Sequence, residues 1–171
     1  VFAHLFGGVR FLYDSNRNMP LDGDSKFKEL KKNYGGGREL RGKTLGIVGL
    51  GAIGVEIANA ASTLGMDVIG YDPSISKKNA WKISSDVEEA LSLEELFSRS
   101  DFVSFHVPLV EATKNLLNAK RIDWVRPTLN AGITNLPLYL MHVLLTYSNN
   151  TSLASPEWLC NLAPYVLSLT K

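Results

Sequence analysis

A chain of 171 residues with 18 Lys and Arg against 17 Asp and Glu has the length of one domain, able to bury about two-thirds of its unfolded surface. Its net charge of +1 excludes the electrostatic footprint of a nucleic-acid or anionic-membrane binder. The single cysteine, Cys160, excludes an internal disulfide framework and fits a reducing, cytoplasmic compartment. The first residue is valine and no basic leader with a cleavage site follows, so the chain reads as a fragment or a processed product.

From the start, Val1, Phe2, Leu5, Phe6, Val9, Leu12 and Tyr13 recur at helical spacing and predict an amphipathic helix weakened by Gly7 and Gly8. Asn16 to Asp24, with Pro20 and Gly23, reads as a loop, and Ser25 to Asn33 as a lysine-rich helical stretch. Gly35-Gly36-Gly37 marks a flexible joint.

The next stretch organises the chain. Leu45-Gly46-Ile47-Val48 is an apolar run of the kind that forms a buried parallel strand. Gly49-Leu50-Gly51-Ala52-Ile53-Gly54 is a full G-x-G-x-x-G, and Val55 to Leu64 is a proline-free helical segment with Gly65 as its terminator. Val68 to Tyr71 predicts a second strand, ending at Asp72. The glycines have distinct tasks: Gly49 for the tight turn, Gly51 for close approach to a diphosphate, Gly54 for close helix–strand packing. A diphosphate would sit at the helix N-terminus, among N–H groups without partners. Asp72 then stands where a carboxylate accepts hydrogen bonds from an adenosine ribose and repels a 2′-phosphate, which favours NAD over NADP. Lys77 and Lys78 keep an NADP alternative open, and Asp72 could instead only cap the turn before Pro73.

Ser74 to Lys82 is loop or short helix, and Val87 to Ala90 a short third strand. Ser92-Leu93-Glu94-Glu95 is a capping box that predicts a helix to about Arg99. Asp101 to Val107 is the fourth strand, closed by Pro108, and Asn118 caps a helix over Ala119 to Val125. Alternating strands and helices imply a doubly wound α/β fold of Rossmann type with about four parallel strands. In such a sheet His106, Val107 and Pro108 face the cofactor beside Gly51, on the carboxyl rim. His106 is readable as a catalytic base or as a residue that orients backbone near the cofactor; with no second titratable group beside it in sequence, the second reading is preferred. No metal-ligand spacing occurs.

With GLGAIG, YDP and FHVPL placed, the chain resembles the D-isomer-specific 2-hydroxyacid dehydrogenases. The resemblance is carried by ELRGKTLGIVGLGAIG (39–54), LGMDVIGYDPSIS (64–76), SLEELFSRSDFVSFHVPL (92–109) and TKNLLNAKRI (113–122). It implies an NAD-dependent oxidoreductase of a small 2-hydroxy acid, with 3-phosphoglycerate as substrate at the head of serine synthesis, and a homodimer with no nucleic-acid or membrane partner. It further implies that Ala52 and Ile53 hold the pyrophosphate through backbone N–H groups, that Asp72 binds the ribose, and that Val107, Pro108 and, more weakly, Thr113 line the nucleotide cleft. The organisation expected is an interdomain helix and linker over 1–38, a truncated NAD-binding domain over 39–127 and an atypical tail over 128–171.

The family's catalysis uses an arginine in an N-x-A-R-G loop, a histidine acid/base and a glutamate. The corresponding stretch here is Thr128-Leu129-Asn130-Ala131-Gly132, without the arginine. Residues 128–171 carry two charged residues, Glu157 and Lys171, and 11 leucines, a break in composition that suggests out-of-frame origin. No catalytic residue is therefore assigned, and a catalytically dead NAD-binding module or a non-functional gene fragment stand as alternatives. Pro137 and the Asn, Ser and Thr content argue against a membrane span over 127–156, while Leu136 to Leu145 could cover the outer edge of the fourth strand as a helix.

Overall fold

In a computed structural model, residues 1–108, 110–114 and 116 are described. Four parallel strands form one sheet: β1 (Thr44–Val48), β2 (Asp67–Tyr71), β3 (Val87–Glu89) and β4 (Phe102–Phe105) in the order β3-β2-β1-β4. The helices are α1 (Phe2–Val9), α2 (Leu12–Tyr34), α3 (Ala52–Thr63), the short α4 (Lys77–Ala80) and α5 (Leu93–Arg99). The expected helix over Ala119 to Val125, with its cap at Asn118, and the tail from residue 128 lie outside the described residues.

The sheet forms where branched apolar residues alternate between its two faces. Leu45 and Ile47 join Leu5, Val55, Ala58, Ala61, Met66 and Val68 in one core cluster. Val48 joins Ile69, Ala90, Leu96, Phe97, Val103 and Phe105 in the other. The first cluster draws on α1 and α3, the second on α5, so both faces are covered. On the second, the Phe97 and Phe105 rings stand 6.0 Å apart at a tilt of 48°, within the range for favourable aromatic pairs.

Gly46, in mid-strand, is placed by sterics. A β-carbon there would stand 2.2 Å from Ser100 Oγ and 2.7 Å from Leu96 Cδ2, so its lack of a side chain lets α5 close on the sheet. At the opposite end of β1 from the glycine-rich turn, Thr44 N–H donates to the Asp101 carboxylate at 2.8 Å. Asp101 N–H donates back to Thr44 O at 2.9 Å, which pins the start of β4 to the start of β1.

The N-terminal helices depart from expectation. The single helix expected over Val1 to Tyr13 breaks at Phe11, whose φ of +54° is left-handed. Asn16 to Asp24 is helical rather than loop, with Pro20 and Gly23 inside α2. The backbone of α2 breaks at Lys26, and the chain reverses there. Tyr34 Oη donates to Asp14 O at 3.2 Å and accepts from Asn18 Nδ2 at 2.7 Å, contacts that a straight helix would hold about 24–30 Å apart. Local breakers suggested a loop; Tyr34 holding the two arms together overrides them. Gly7, expected only to weaken its helix, is where Tyr13 packs: a β-carbon there would stand 2.9 Å from its ring.

At α5 the expected cap is present in a shifted form. Ser92 Oγ accepts from Glu95 N–H at 3.1 Å, but Glu95 Oε2 reaches Leu91 N–H at 2.9 Å rather than that of Ser92. The Leu91 N–H and then Arg99, which bonds Glu95 Oε1 at 3.1 Å, hold the Glu95 carboxyl below its usual range.

Candidate cofactor site

β1 ends at Val48 and the chain turns at Gly49, with a φ of +93° that favours glycine. A β-carbon at Gly49 would stand 2.6 Å from His106 O and 2.8 Å from Val107 Cγ1, so the turn lies directly against the end of β4. At Gly54 it would stand 2.0 Å from Gly49 O and 3.6 Å from His106 Cβ. The close helix–strand packing expected of Gly54 is thus observed, and its partner is the turn itself. Around Gly51 the opposite holds: nothing lies within 4 Å of where a β-carbon would be. Gly51 is the N-cap of α3 and supplies no side-chain cap, which leaves the first N–H groups of the helix available to a ligand. Ala52 and Ile53 are exposed at this helix start. An open approach, available donors and the positive end of the helix dipole suit a diphosphate.

The loop is fastened from both flanking strands. Gly49 N–H donates to Tyr71 O at 2.9 Å, and Leu50 N–H donates to Asp72 Oδ2 at 2.8 Å. Asp72 Oδ1 accepts from Ser74 N–H at 2.9 Å. The carboxylate therefore caps the turn after β2 and reaches the glycine-rich loop as well. Four acceptor positions on its two oxygens leave capacity for ribose hydroxyls beyond these two bonds.

On the β4 side, His106 N–H donates to Val48 O at 2.7 Å, and the ring Nε2 lies 2.7 Å from Ser104 Oγ. Ser104 is buried. Burial pushes the His106 imidazole down to about 4, so the ring is neutral at pH 7. Val107 is half-buried and Pro108 exposed. Thr113 Oγ1 donates to Pro108 O at 2.5 Å and accepts from Val110 N–H at 3.0 Å, which ties the turn after β4 back to Pro108.

The structure thus brings Gly49, Gly54, His106 and Val107 into contact, puts Ala52 and Ile53 at the open helix start, and joins Asp72 to the loop through Leu50. Leu50, Tyr71 and Ser104 were not expected. The bonds that Leu50 and Tyr71 make here run through backbone N–H and carbonyl groups, which residue type does not signal. Ser104 was legible in principle, because residues i and i+2 of a strand share a face.

Residues 2–131 match the D-isomer specific 2-hydroxyacid dehydrogenase NAD-binding domain. The chain belongs to this family. It carries the family's NAD-binding domain, and NAD is its cofactor. The chain is 39% identical over 126 residues to a D-3-phosphoglycerate dehydrogenase of Synechocystis, covering 74% of the chain and 21% of that enzyme. A solved structure of Rhodotorula graminis D-mandelate dehydrogenase superposes with a TM-score of 0.65 at 31% identity, over 74% of this chain and 37% of that one. The Aquifex aeolicus D-lactate dehydrogenase complexed with NAD and lactic acid gives 0.57 at 29% identity, over 73% and 35%. The chain therefore spans about a fifth of the curated relative's length and about a third of the solved ones. Among the described residues no helix is long and apolar enough to cross a membrane, and no His, Cys, Asp and Glu cluster could hold a metal ion.

Proposed function

We propose that this chain is the nucleotide-binding part of a cytoplasmic, NAD-dependent dehydrogenase of 3-phosphoglycerate, the oxidation that opens serine synthesis, working as a homodimer in its complete form. The observation that carries the nucleotide part is the pairing of an open Gly51 with a closed Gly54: space is provided where a diphosphate approaches and denied where the helix must pack. The substrate assignment draws on the likeness to the Synechocystis enzyme. Relatives named for mandelate and lactate set the wider class as small 2-hydroxy acids.

In this reading the Ala52 and Ile53 N–H groups hold the diphosphate and the Asp72 carboxylate receives the adenosine ribose. Val107 and Pro108 line the nucleotide cleft, with Thr113 steadying Pro108. His106, neutral and engaged with Ser104, holds the end of β1 beside the Gly49 turn through its backbone N–H, which donates to Val48 O, rather than moving a proton. NAD, when bound, supplies the hydride acceptor. The organisation proposed keeps residues 1–38 as interdomain helix and linker, 39–127 as nucleotide domain and 128–171 as an atypical tail.

A second reading concerns these 171 residues by themselves. The stretch at 128–132 lacks the arginine of N-x-A-R-G, and general acid–base catalysis alone contributes about 10²–10⁴-fold. They accordingly bind NAD without turning over a hydroxy acid. Calorimetric titration with NAD, followed by an assay for NADH formation from 3-phosphoglycerate, separates the two statements. No NAD binding overturns the first; NADH formation overturns the second.

A further inference from the structure

The glycine-rich loop poses a mechanical problem. Leu50 lies between two glycines, in the turn that sets where the Ala52 and Ile53 N–H groups point. Glycines lose more conformational freedom on ordering than any other residue, so a loop built on them needs external fastening to present its donors in one geometry. Leu50 has two such fastenings. Its side chain seats on Gly70, where a β-carbon would stand 2.9 Å from Leu50 Cδ1. Its N–H donates to Asp72 Oδ2 at 2.8 Å, while Ser74 N–H, at 2.9 Å from Oδ1, fixes the orientation of the same carboxylate.

We propose that Asp72 is a positioning residue for the diphosphate-binding loop, latching Leu50 so that the loop is ordered before any ligand arrives, in addition to its role toward the ribose. The inference rests on the reading of Gly49 to Gly54 as a diphosphate site. It has a consequence opposite in sign to simple electrostatics. A carboxylate near an anion site repels the anion, so removing its charge alone should tighten diphosphate binding. Removing the latch should weaken it, because the donors are no longer preorganised.

The test uses the full chain, its Asp72→Ala and Asp72→Asn variants, and inorganic pyrophosphate, which has no ribose. In ligand-free protein, Asp72→Ala should speed amide exchange at Leu50 by about 10-fold or more and weaken pyrophosphate binding by about 3-fold or more. Asp72→Asn keeps an acceptor oxygen for Leu50 without the charge, so it should retain exchange protection and bind pyrophosphate at least as tightly as the wild type. If alanine proves unstable, Asp72→Ser, too short to reach Leu50, carries the same expectation. Unchanged Leu50 exchange, or pyrophosphate binding unchanged or tighter in Asp72→Ala, overturns the latch. NAD weakened with both of those unmoved overturns it too while leaving the ribose role standing. A wild type that binds no pyrophosphate overturns the diphosphate reading beneath it.

Discussion

A β-carbon on Gly54 would stand 2.0 Å from the carbonyl oxygen of Gly49, so the first and last glycines of the motif are in backbone contact across the turn. Backbone cannot yield as a side chain tip does. Gly54→Ala should therefore destabilise the domain by about 1–3 kcal/mol, the usual cost of overpacking, and abolish measurable NAD binding. Gly51→Ala meets no neighbour and should leave the denaturant midpoint nearly unchanged while weakening NAD binding by about 10-fold or more, because its methyl group enters the ligand's space. Urea melts beside NAD titrations check both, and equal stability losses in the two variants would contradict the assignment of separate tasks.

Gly46 makes a similar prediction away from the site. Its β-carbon would meet Ser100 Oγ at 2.2 Å, and that hydroxyl is committed to Leu96 O at 2.6 Å. Gly46→Ala should cost about 1–3 kcal/mol. Adding Ser100→Ala should recover part of that loss, a non-additivity expected of contacting residues. A double variant no more stable than Gly46→Ala would show that the clash is with Leu96 alone.

The His106 environment sets a pH dependence. Its imidazole is pushed from 6.5 down to about 4 by burial, so between these values the unfolded chain binds a proton that the folded one refuses. Stability present above about pH 6.5 is then lost as pH falls toward 4. Allowing for solvent screening of a half-buried ring, the loss from pH 7 to pH 5 is about 1 kcal/mol. His106→Gln should lose less stability over the same interval. Denaturant midpoints at pH 7 and 5 for both proteins decide it, and parallel losses would refute the attribution to His106.

Cofactor choice should reside in Asp72. Asp72→Ala should weaken NAD binding by about 1–3 kcal/mol, the scale of lost hydrogen bonds to a charged group, and narrow the gap to NADP. Titration of both nucleotides against both proteins reads this. Unchanged NAD affinity in the variant would remove the ribose role.

Ligand should also stabilise the fold measurably. At 100 times its dissociation constant NAD contributes about 2.7 kcal/mol by mass action. Among the described residues β4 stands at one end of the sheet, paired to β1, and an edge strand is a template for association. Size-exclusion profiles beside melts should show association that decreases with NAD. A cooperative, monomeric melt above about 65 °C without ligand would contradict association through this edge.

Much of this architecture is legible in sequence because its signals are local. Apolar runs of strand length, the glycine spacing and Ser92 before α5 each report on a few neighbouring residues, and the rule for parallel crossovers then orders the sheet. Asp72 could be singled out because it lies at a set distance beyond the motif. Other features depend on pairs far apart in the chain. The reversal of α2 rests on Tyr34 reaching Asp14 and Asn18, which overrides the breaking tendency of Pro20 and Gly23. The bond from Leu50 N–H to Asp72 spans 22 residues and exists because the register of β1 on β2 sets Val48 beside Tyr71, bringing the residues just beyond each strand together. The neutral state of His106 likewise belongs to the folded chain, since burial is a property of the packed sheet and not of the FHVPL segment. Residue types and spacing determine which elements form and which groups are available; tertiary register decides which of those groups meet, and so what each can do.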